Sequence, residues 1–185
     1  GSTYYYDDIE VATPAEELLE LPVDFESATI DYNLIGFEGA DSAVESNPDA
    51  SGINTSNTVV RSTKTEGAQF FAGTAMTLDV AIDFSESESI SIKTWSPKAN
   101  IPVRLKLEAA DPAVFVELDV NTTVANQWET LTWDFTGQTA GIDFVNVVVF
   151  FEFVVDLPGD GSTYYYDDIE VATPAEELLE LPVDF

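Results

Sequence analysis

Residues 164–171 (YYYDDIEV) carry the side chains whose types and spacing most clearly suggest chemistry, because two adjacent aspartates follow three tyrosines. If this segment is a strand, Ile169 and Val171 face a core, and strand alternation places Asp167 and Tyr165 on that same inward face. A buried carboxylate must be compensated by hydrogen bonds, a cationic side chain or a metal ion. The chain has 6 basic residues against 35 acidic ones, so a hard cation such as Ca²⁺ is the favoured partner.

Ca²⁺ takes roughly six to eight oxygen ligands, which combine carboxylates with backbone carbonyls. Asp24 and Glu26 lie on the predicted first strand, which can run beside the last strand in a β-sandwich. The loop 47–54 (NPDASGIN) adds Asp49 and further oxygens. We therefore predict a structural Ca²⁺ site formed by Asp24, Glu26, Asp49 and Asp167. The alternative is a solvated or hydrogen-bonded aspartate at a strand end, because an acidic protein brings carboxylates together by chance.

The residue types that are missing exclude several functions. The chain contains no histidine and no cysteine, and its formal net charge is −29 at pH 7. It therefore lacks a cysteine nucleophile, a histidine-based triad and a His/Cys zinc or haem site. A charge this negative repels phosphate backbones and anionic membrane surfaces, and no apolar run approaches the ~20 residues of a membrane span. We expect no nucleic-acid partner and no membrane insertion.

Catalysis by carboxylates alone, as in glycoside hydrolysis, remains open to this composition. However, 35 acidic residues produce pairs at suitable distances by accident, so a pair has no predictive value. The sequence has no Gly-rich phosphate loop and no GxSxG motif, and a small sandwich has little room for a deep substrate cleft. We predict that the protein is not an enzyme.

Alternating apolar residues predict an all-β fold. Val103, Leu105 and Leu107 share one face of a strand. Residues 145–155 are almost continuously apolar, as in a central strand that is buried on both faces. Turn-forming residues separate these segments. The sequence therefore predicts an antiparallel β-sandwich, with further strands at 59–64, 76–84, 89–95, 115–120 and 130–135.

The first 25 residues recur without a change at 161–185, so residue 1 aligns with residue 161 and the period is 161 − 1 = 160 residues. A cloning duplication would explain the identity, but a fragment of a tandem array explains it better. A period of this length corresponds to a whole domain, because solenoid repeats have periods of about 20–50 residues. Neighbouring copies of the repeat are then expected to contact one another head-to-tail.

The repeated segment also indicates where one module ends. Thr13 can cap a helix, Pro14 suits its first position, and Glu16 and Glu17 suit its positive end. We predict four regions: the last strand of a preceding repeat at 1–12, a short helical or coil linker at 13–21, the β-sandwich module at 22–171, and the linker and start of the next repeat at 172–185.

Several phrases within 21–171 look familiar: LPVDFES at 21–27, TKTEGAQFFAGT at 63–74, TWSPKANIPVRLKLE at 94–108, TTVANQWETLTWDF at 122–135, and VVVFFEF followed by YYYDDIEV. Together they resemble jelly-roll carbohydrate-binding modules with a galactose-binding-like fold, of the type found in secreted polysaccharide-degrading enzymes and surface repeat proteins of marine bacteria. The resemblance implies a jelly-roll sandwich. It also implies that Asp167, with Glu26 or Asp24, holds a structural calcium.

In such modules exposed aromatic rings bind sugars, which implies Trp95, Phe71, Tyr32 and Phe37 as candidates here. Trp95 precedes Ser96-Pro97 at a strand end and is the first choice. An aromatic plug over the end of the core fits Trp95 equally well. Two other tryptophans, Trp128 and Trp133, lie in strand patterns that predict core positions.

Arg104, Lys106 and Glu108 form a polar row on the face of their strand that points away from the core. In a binding cleft this row would hydrogen-bond sugar hydroxyls, and in the alternative it pairs with acidic residues on an open sheet face. We predict Trp95, Phe71, Arg104 and Lys106 as the carbohydrate-binding residues.

Two functions follow from these observations. The first is a non-catalytic, calcium-stabilised β-sandwich repeat of a large secreted or cell-surface protein, acting as a spacer or adhesin module. The second is a carbohydrate-binding module that recognises a β-glucan-like polysaccharide for an attached enzyme or adhesin, with avidity gained by repetition. The acidity is also compatible with a salt-loving source.

Overall fold

The structure, a computed structural model, describes residues 1–3 and 17–172. Outside the described residues lie residues 4–12 of the predicted strand at 1–12, residues 13–16 of the predicted linker at 13–21 and nearly all of the region 172–185. Within 17–172 the chain forms ten strands and no helix, and this part of the chain therefore contains no helix that is long and apolar enough to cross a membrane. The strands are β1 (Ile35–Phe37), β2 (Ala40–Ser46), β3 (Thr58–Lys64), β4 (Gly73–Thr77), β5 (Ser89–Trp95), β6 (Pro102–Ala109), β7 (Phe115–Asn121), β8 (Trp128–Asp134), β9 (Phe144–Phe151) and β10 (Thr163–Val171).

The ten strands form two five-stranded antiparallel sheets. The first sheet has the order β1-β4-β9-β6-β7, and the second has the order β2-β3-β10-β5-β8. This is an all-β jelly-roll sandwich, which confirms the predicted fold class. Each strand alternates between residues that point into the core between the sheets and residues on the outer face of its own sheet.

The core is built from the apolar positions that alternation predicts. Val103, Leu105 and Leu107 on β6 are fully buried. Trp133 on β8 is also fully buried, and its indole Nε1 donates a hydrogen bond to the Val103 carbonyl at 3.1 Å. The bond crosses from one sheet to the other, so it satisfies the only polar atom of this side chain inside the core.

Strand β9 lies at the centre of the first sheet, as the continuous apolar run predicts. Val147, Val149 and Phe151 face the core. Val148 and Phe150 point to the outer face, yet both are buried as well. Other side chains must therefore cover the middle of this outer face, and they form the site described below.

Alternation along β10 is interrupted, which corrects the predicted orientation of Asp167. Tyr164 and Tyr166 point into the core, where Tyr164 stacks on Phe151 with ring centroids 4.7 Å apart. A bulge follows Asp167, and Asp168 has a φ of 47°. The extra residue shifts the register, so Ile169 points inward although Asp167 and Tyr165 point outward. Asp167 is buried under a loop on the outer face and not in the core.

The opening segment closes the sandwich next to β10. Val23 and Ile169 exchange two backbone hydrogen bonds of 2.9 Å in an antiparallel bridge. Leu19, within the predicted linker, is buried in the core, and its backbone N–H donates to the Asp79 carboxylate at 2.8 Å. Packing against the module therefore begins at least as early as Leu19.

The Trp133→Ala variant tests the core. Removing this fully buried indole leaves a large cavity, so we expect the free energy of unfolding to fall by about 3–5 kcal/mol. Urea denaturation measures this loss. Val155→Ala, at a side chain that is 66% exposed, is the control and should change stability by less than about 0.5 kcal/mol. A loss of under about 1 kcal/mol for Trp133→Ala would contradict its position in the core.

Candidate functional site

The outer face of the first sheet, which we call the cleft face, carries two ladders of side chains that cross all five strands. The strand registers place small and apolar residues on β4 and β9 beside charged residues on β6 and β7. The first ladder runs through Phe37, Gly73, Phe150, Arg104 and Asp119, and the second through Ile35, Ala75, Val148, Lys106 and Glu117. The floor is thus apolar on one half of the sheet and ionic on the other.

A cleft of about 390 Å³ lies on this face. Its floor is formed by Ala75 and Val148, and its sides by aromatic and charged side chains: Phe37, Phe71, Phe150, Phe153, Lys106, Glu108 and Glu117. Gly73 makes room for one wall, since a Cβ there would lie 2.7 Å from the Phe150 ring. The cleft combines ring surfaces with hydrogen-bonding groups, the two features of a small-molecule or sugar site.

Five phenylalanine rings form a continuous series along the cleft, which we call the phenylalanine chain. The ring centroids of Phe37 and Phe150 are 5.7 Å apart, those of Phe150 and Phe153 5.5 Å, those of Phe153 and Phe70 5.3 Å, and those of Phe70 and Phe71 5.0 Å. Each pair is edge-to-face, the arrangement that the ring quadrupole favours. The interlocked rings hold one another in place and present a rigid apolar surface.

Arg104 and Lys106 border the ionic half of the cleft face. The Arg104 guanidinium binds the Asp119 carboxylate at 2.7 Å and the Glu117 carboxylate at 2.8 Å, and it lies 3.8 Å above the Phe153 ring. Its bonds to Asp119 hold the pKa of Arg104 above its usual value. Lys106 pairs with Glu108 at 2.6 Å and lies 4.1 Å from the Phe115 ring centroid. Both cations are therefore paired with acids while still bordering the cleft face.

Trp95 lies on the opposite side of the molecule from the cleft. It points away from the core on the outer face of the second sheet, where its ring meets Tyr165 edge-on at 5.6 Å. Its indole Nε1 is buried without a hydrogen-bond partner among the described residues. The structure therefore brings Phe71, Arg104 and Lys106 to one face and places Trp95 on the other.

Two further aromatic predictions are corrected. Tyr32 is buried in the core, packs against Phe25 and accepts a hydrogen bond from the Ser27 backbone at 2.9 Å, so it is not an exposed platform. Trp128 is buried as predicted but lies on the outer face of the second sheet. The loop after β2 covers it, and its Nε1 donates to the Asp49 carbonyl at 2.8 Å. Alternation alone could not show that a long loop folds over this face.

A buried ionic network lies at one end of the cleft. The Glu152 carboxylate accepts bonds from Lys98 Nζ at 2.7 Å and from the Tyr164 hydroxyl at 3.0 Å. Lys98 also binds Asp160 at 2.9 Å. Lys64, on β3, donates from its buried ammonium to three backbone carbonyls nearby. The network joins the loops that follow β3, β5 and β9.

Asp167 is the predicted metal ligand that the structure buries completely. Its Oδ2 accepts a bond from Asn54 Nδ2 at 2.9 Å, and its Oδ1 accepts one from the Asp168 backbone at 2.9 Å. Burial raises the pKa of Asp167 to about 6. The nearby cation of Lys93 pairs with Asp168 instead.

The other predicted metal ligands lie around the same loop. The exposed Glu26 carboxylate accepts bonds from the Asn57 side-chain amide at 2.9 Å and from the backbone N–H groups of Thr58 and Asn57 at 2.8 and 2.7 Å, and these bonds lower its pKa. Asp49 Oδ1 accepts a bond from Ser51 at 2.6 Å. Asp24 is exposed and accepts only the Glu26 backbone N–H among the bonds of the described residues. The loop 47–58 thus lies between the opening segment and Asp167.

The donor chemistry of this region fits a hard cation in part. A buried carboxylate with neutral partners only is a favourable first ligand for Ca²⁺, and the loop supplies carbonyl and amide oxygens. Within the described ranges, however, no three acidic side chains converge on one point. Backbone and amide oxygens would have to complete the coordination beside Asp167 and Glu26.

The sequence-based prediction missed Phe150, Phe153 and Glu117. Phe150 belongs to the apolar run that predicts a doubly buried strand, and its outward position follows from the register with Arg104. Glu117 alternates with core residues on β7, so its outward position could have been predicted from the sequence. Phe153 lies beyond the end of β9, where no periodicity indicates which way a ring points.

Comparison with solved structures shows which proteins share this arrangement of strands. The family 11 carbohydrate-binding module of the cellulosomal cellulase Lic26A-Cel5E of Clostridium thermocellum superposes with a TM-score of 0.55 at 17% identity, covering 88% of this chain and 99% of that one. The tandem CBM22-1-CBM22-2 domains of Paenibacillus barcinonensis Xyn10C superpose with a TM-score of 0.57 at 16% identity, covering 89% and 52%. The chain has the jelly-roll fold of carbohydrate-binding modules.

Other matches are domains of larger enzymes. An exo-β-agarase superposes with a TM-score of 0.59 at 12% identity over 85% of this chain, which spans 25% of the length of the agarase chain. No family model matches the sequence, and no curated protein matches it. At these identities the comparisons establish the fold, and the function must be argued from the site.

The ion pair of Asp160 with Lys98 predicts a specific pH dependence. Lys98 holds the pKa of Asp160 below its usual value of 3.8, so the ionised form stabilises the folded state. We expect the stability difference between wild type and Asp160→Asn to be complete at pH 7 and to begin to shrink as the pH falls below about 4, because the ion pair is lost only as the pH approaches the lowered pKa of Asp160 in the folded state. Urea denaturation between pH 7 and pH 3 measures it, and Asp143→Asn, at an exposed acid outside this network, is the control. A difference that does not change with pH would contradict the ion pair.

Proposed function

We propose that the cleft face binds a polysaccharide chain, so that the protein acts as a non-catalytic carbohydrate-binding module. The observation that carries this proposal is the phenylalanine chain running beside the charged residues of β6 and β7. The shared fold with carbohydrate-binding modules supports this function better than it supports a spacer. We further propose that the protein is secreted or displayed at the cell surface, where polysaccharides are found.

The chemistry of the cleft suits a sugar. The apolar face of a pyranose ring packs on aromatic rings, here Phe37, Phe71 and Phe153, and its hydroxyls take hydrogen bonds at the ring edge. Glu117 and Glu108 are acceptors, and Lys106 is a donor whose ammonium reaches the cleft. Because their partners are already in place, these groups are oriented before a ligand binds.

The charge of the protein favours a neutral polysaccharide. The net charge is −29, and the cleft face carries Arg104 and Lys106 against three carboxylates, those of Glu108, Glu117 and Asp119. A uronate or sulfated chain would be repelled by this field. One similar structure, the family 11 module of Clostridium thermocellum, was determined in complex with a β-1,3-1,4-mixed-linked tetrasaccharide. We propose a β-glucan-like chain as the ligand.

Two aromatic variants test which face binds. Phe71→Ala removes a half-buried ring from the cleft, and Trp95→Ala removes a half-buried ring from the opposite face. We expect Phe71→Ala to weaken binding of a mixed-linked β-glucan oligosaccharide by at least about tenfold, a loss of about 1.4 kcal/mol. Trp95→Ala should leave the affinity unchanged. Isothermal titration calorimetry measures both.

A glycan array with the wild-type protein precedes this comparison. Loss of binding in Trp95→Ala alone would move the site to the second sheet. Absence of binding to every neutral and anionic glycan would contradict the proposed function and favour the spacer instead.

The perfect repeat supports a second function, that of a repeated module in a large secreted or surface protein. Residues 1–25 and 161–185 are identical, and identical modules in tandem would multiply weak sugar binding by avidity. The two functions are therefore compatible. We propose that neighbouring repeats are the second class of partner beside polysaccharide.

We also propose that Ca²⁺ stabilises each module. Asp167 and Glu26 would hold the ion together with oxygens of the loop 47–58, which includes Asp49, and Asp24 could contribute from the exposed side. The ion would neutralise the buried carboxylate and tie the opening segment, the loop and β10 together.

The variant Asp167→Asn distinguishes the effect of the metal ion on stability from the effect of the buried carboxylate. In EDTA the variant removes an unfavourable buried charge but also leaves one of the two donors, from Asn54 or Asp168, without an acceptor, so Asp167→Asn should melt within a few degrees of wild type. With Ca²⁺ present, wild type should melt several degrees higher by mass action and Asp167→Asn should lose most of that rise. Differential scanning calorimetry measures both states, with Mg²⁺ as the ionic-strength control. An identical wild-type melting curve in Ca²⁺ and EDTA would refute the assignment.

A further inference from the structure

Lys64 is a buried cation without a carboxylate partner within hydrogen-bond distance in the described chain. It lies on the inner face of β3, is 3% exposed, and donates from Nζ to the carbonyls of Glu152 at 2.8 Å, Phe70 at 3.0 Å and Phe151 at 3.4 Å. Burial lowers the pKa of Lys64. An ammonium held by carbonyls in a protein interior is costly to desolvate, so stability alone does not account for it.

Two of the three carbonyls lie immediately before residues that line the cleft. The Phe70 carbonyl belongs to the peptide group that carries Phe71, and the Glu152 carbonyl belongs to the peptide group that carries Phe153. Phe71 and Phe153 both line the cleft, and both belong to the phenylalanine chain. One ammonium therefore orients the two peptide groups from which two walls of the cleft begin.

The surroundings of Lys64 fix the same two loops more firmly. Gly159 is buried against them, and a Cβ there would lie 2.2 Å from the Thr65 carbonyl and 3.0 Å from Lys64 Cγ. The Gly67 N–H donates to the Gly159 carbonyl at 2.8 Å, and the Gly159 N–H donates to the Ala68 carbonyl at 2.9 Å. The loop after β3 and the loop after β9 therefore meet around the stem of Lys64.

We propose that Lys64 is a positioning residue for ligand binding: its ammonium sets the orientation of Phe71 and Phe153 and so the width and shape of the cleft. The part of this proposal that concerns affinity rests on the proposed polysaccharide function, whereas the part that concerns the rings does not. Lys64 lies between the two sheets, on the inner face of the second sheet, and does not contact the ligand on the outer face of the first sheet.

The variant Lys64→Met separates positioning from stability. Methionine keeps the length and apolar character of the lysine stem and avoids the cost of burying a charge, but it leaves the carbonyls of Phe70, Phe151 and Glu152 without this donor, so we expect some loss of stability. We expect a folded protein in which the 4-fluorophenylalanine ¹⁹F resonances of Phe71 and Phe153 shift, while those of the buried core rings Phe135 and Phe144 do not. The resonances are assigned by substituting each phenylalanine in turn.

The affinity of Lys64→Met for a mixed-linked β-glucan oligosaccharide should fall by at least about tenfold. Lys93→Met is the matched control, because it removes the same charge from a half-buried lysine of the same sheet that does not touch the cleft. It should leave the ¹⁹F resonances of Phe71 and Phe153 and the affinity unchanged.

Each outcome decides the proposal. Unshifted ¹⁹F resonances of Phe71 and Phe153 in folded Lys64→Met overturn it, as does wild-type affinity in a protein that binds glycan. If the wild type binds no glycan, the proposed function is wrong, and the ¹⁹F resonances of Phe71 and Phe153 alone test the role of Lys64. Failure of both Lys64→Met and Lys64→Leu to fold would assign Lys64 to the stability of the module and overturn a positioning role.

Discussion

The outer side chains of β9 impose the constraint on which the cleft depends. A strand at the centre of a sheet that is apolar on both faces must be covered on both, because water cannot solvate Val148 and Phe150 without cost. The second sheet covers the inner face. On the outer face no layer of secondary structure is present within residues 17–172, so the phenylalanine rings from neighbouring loops cover it. The cover is incomplete, and the gap above Ala75 is the cleft.

The few basic side chains of the protein all have acidic or carbonyl partners. Five of the six basic residues form ion pairs with acids, and the sixth, Lys64, binds carbonyls. The pairs at the surface add little to stability, typically about 0–1 kcal/mol, whereas Lys98 pairs with the buried carboxylate of Glu152. Their value is in geometry: Arg104 and Lys106 are held over the rings of Phe153 and Phe115. Arg104 and Lys106 thus help to shape the ionic border of the cleft face.

The sequence predicted the parts of the structure that periodicity controls. The sandwich, the double burial of β9 and the outward row from Arg104 to Glu108 all follow from alternation, which is a local property of each strand. The orientation of Asp167 was predicted wrongly because a single bulged residue, Asp168, reverses alternation and leaves no mark in the pattern. The sequence did not predict that Trp95 and Phe71 lie on opposite faces of the molecule, because the pairing of strands into two sheets is a non-local property. The ring of Phe153 depends on Lys64, which lies 89 residues earlier (153 − 64).

The antiparallel bridge between Val23 and Ile169 also bears on how repeats would be joined. Because the opening segment and β10 run in opposite directions side by side, Leu21 and Val171 line the same surface recess. The chain therefore enters and leaves the module at one end. In a tandem array only residues 173–178 would separate Ala172 from the next copy of Leu19, a reach of about 25 Å. Each module would then be attached to the array at one end, and not by two opposite ends.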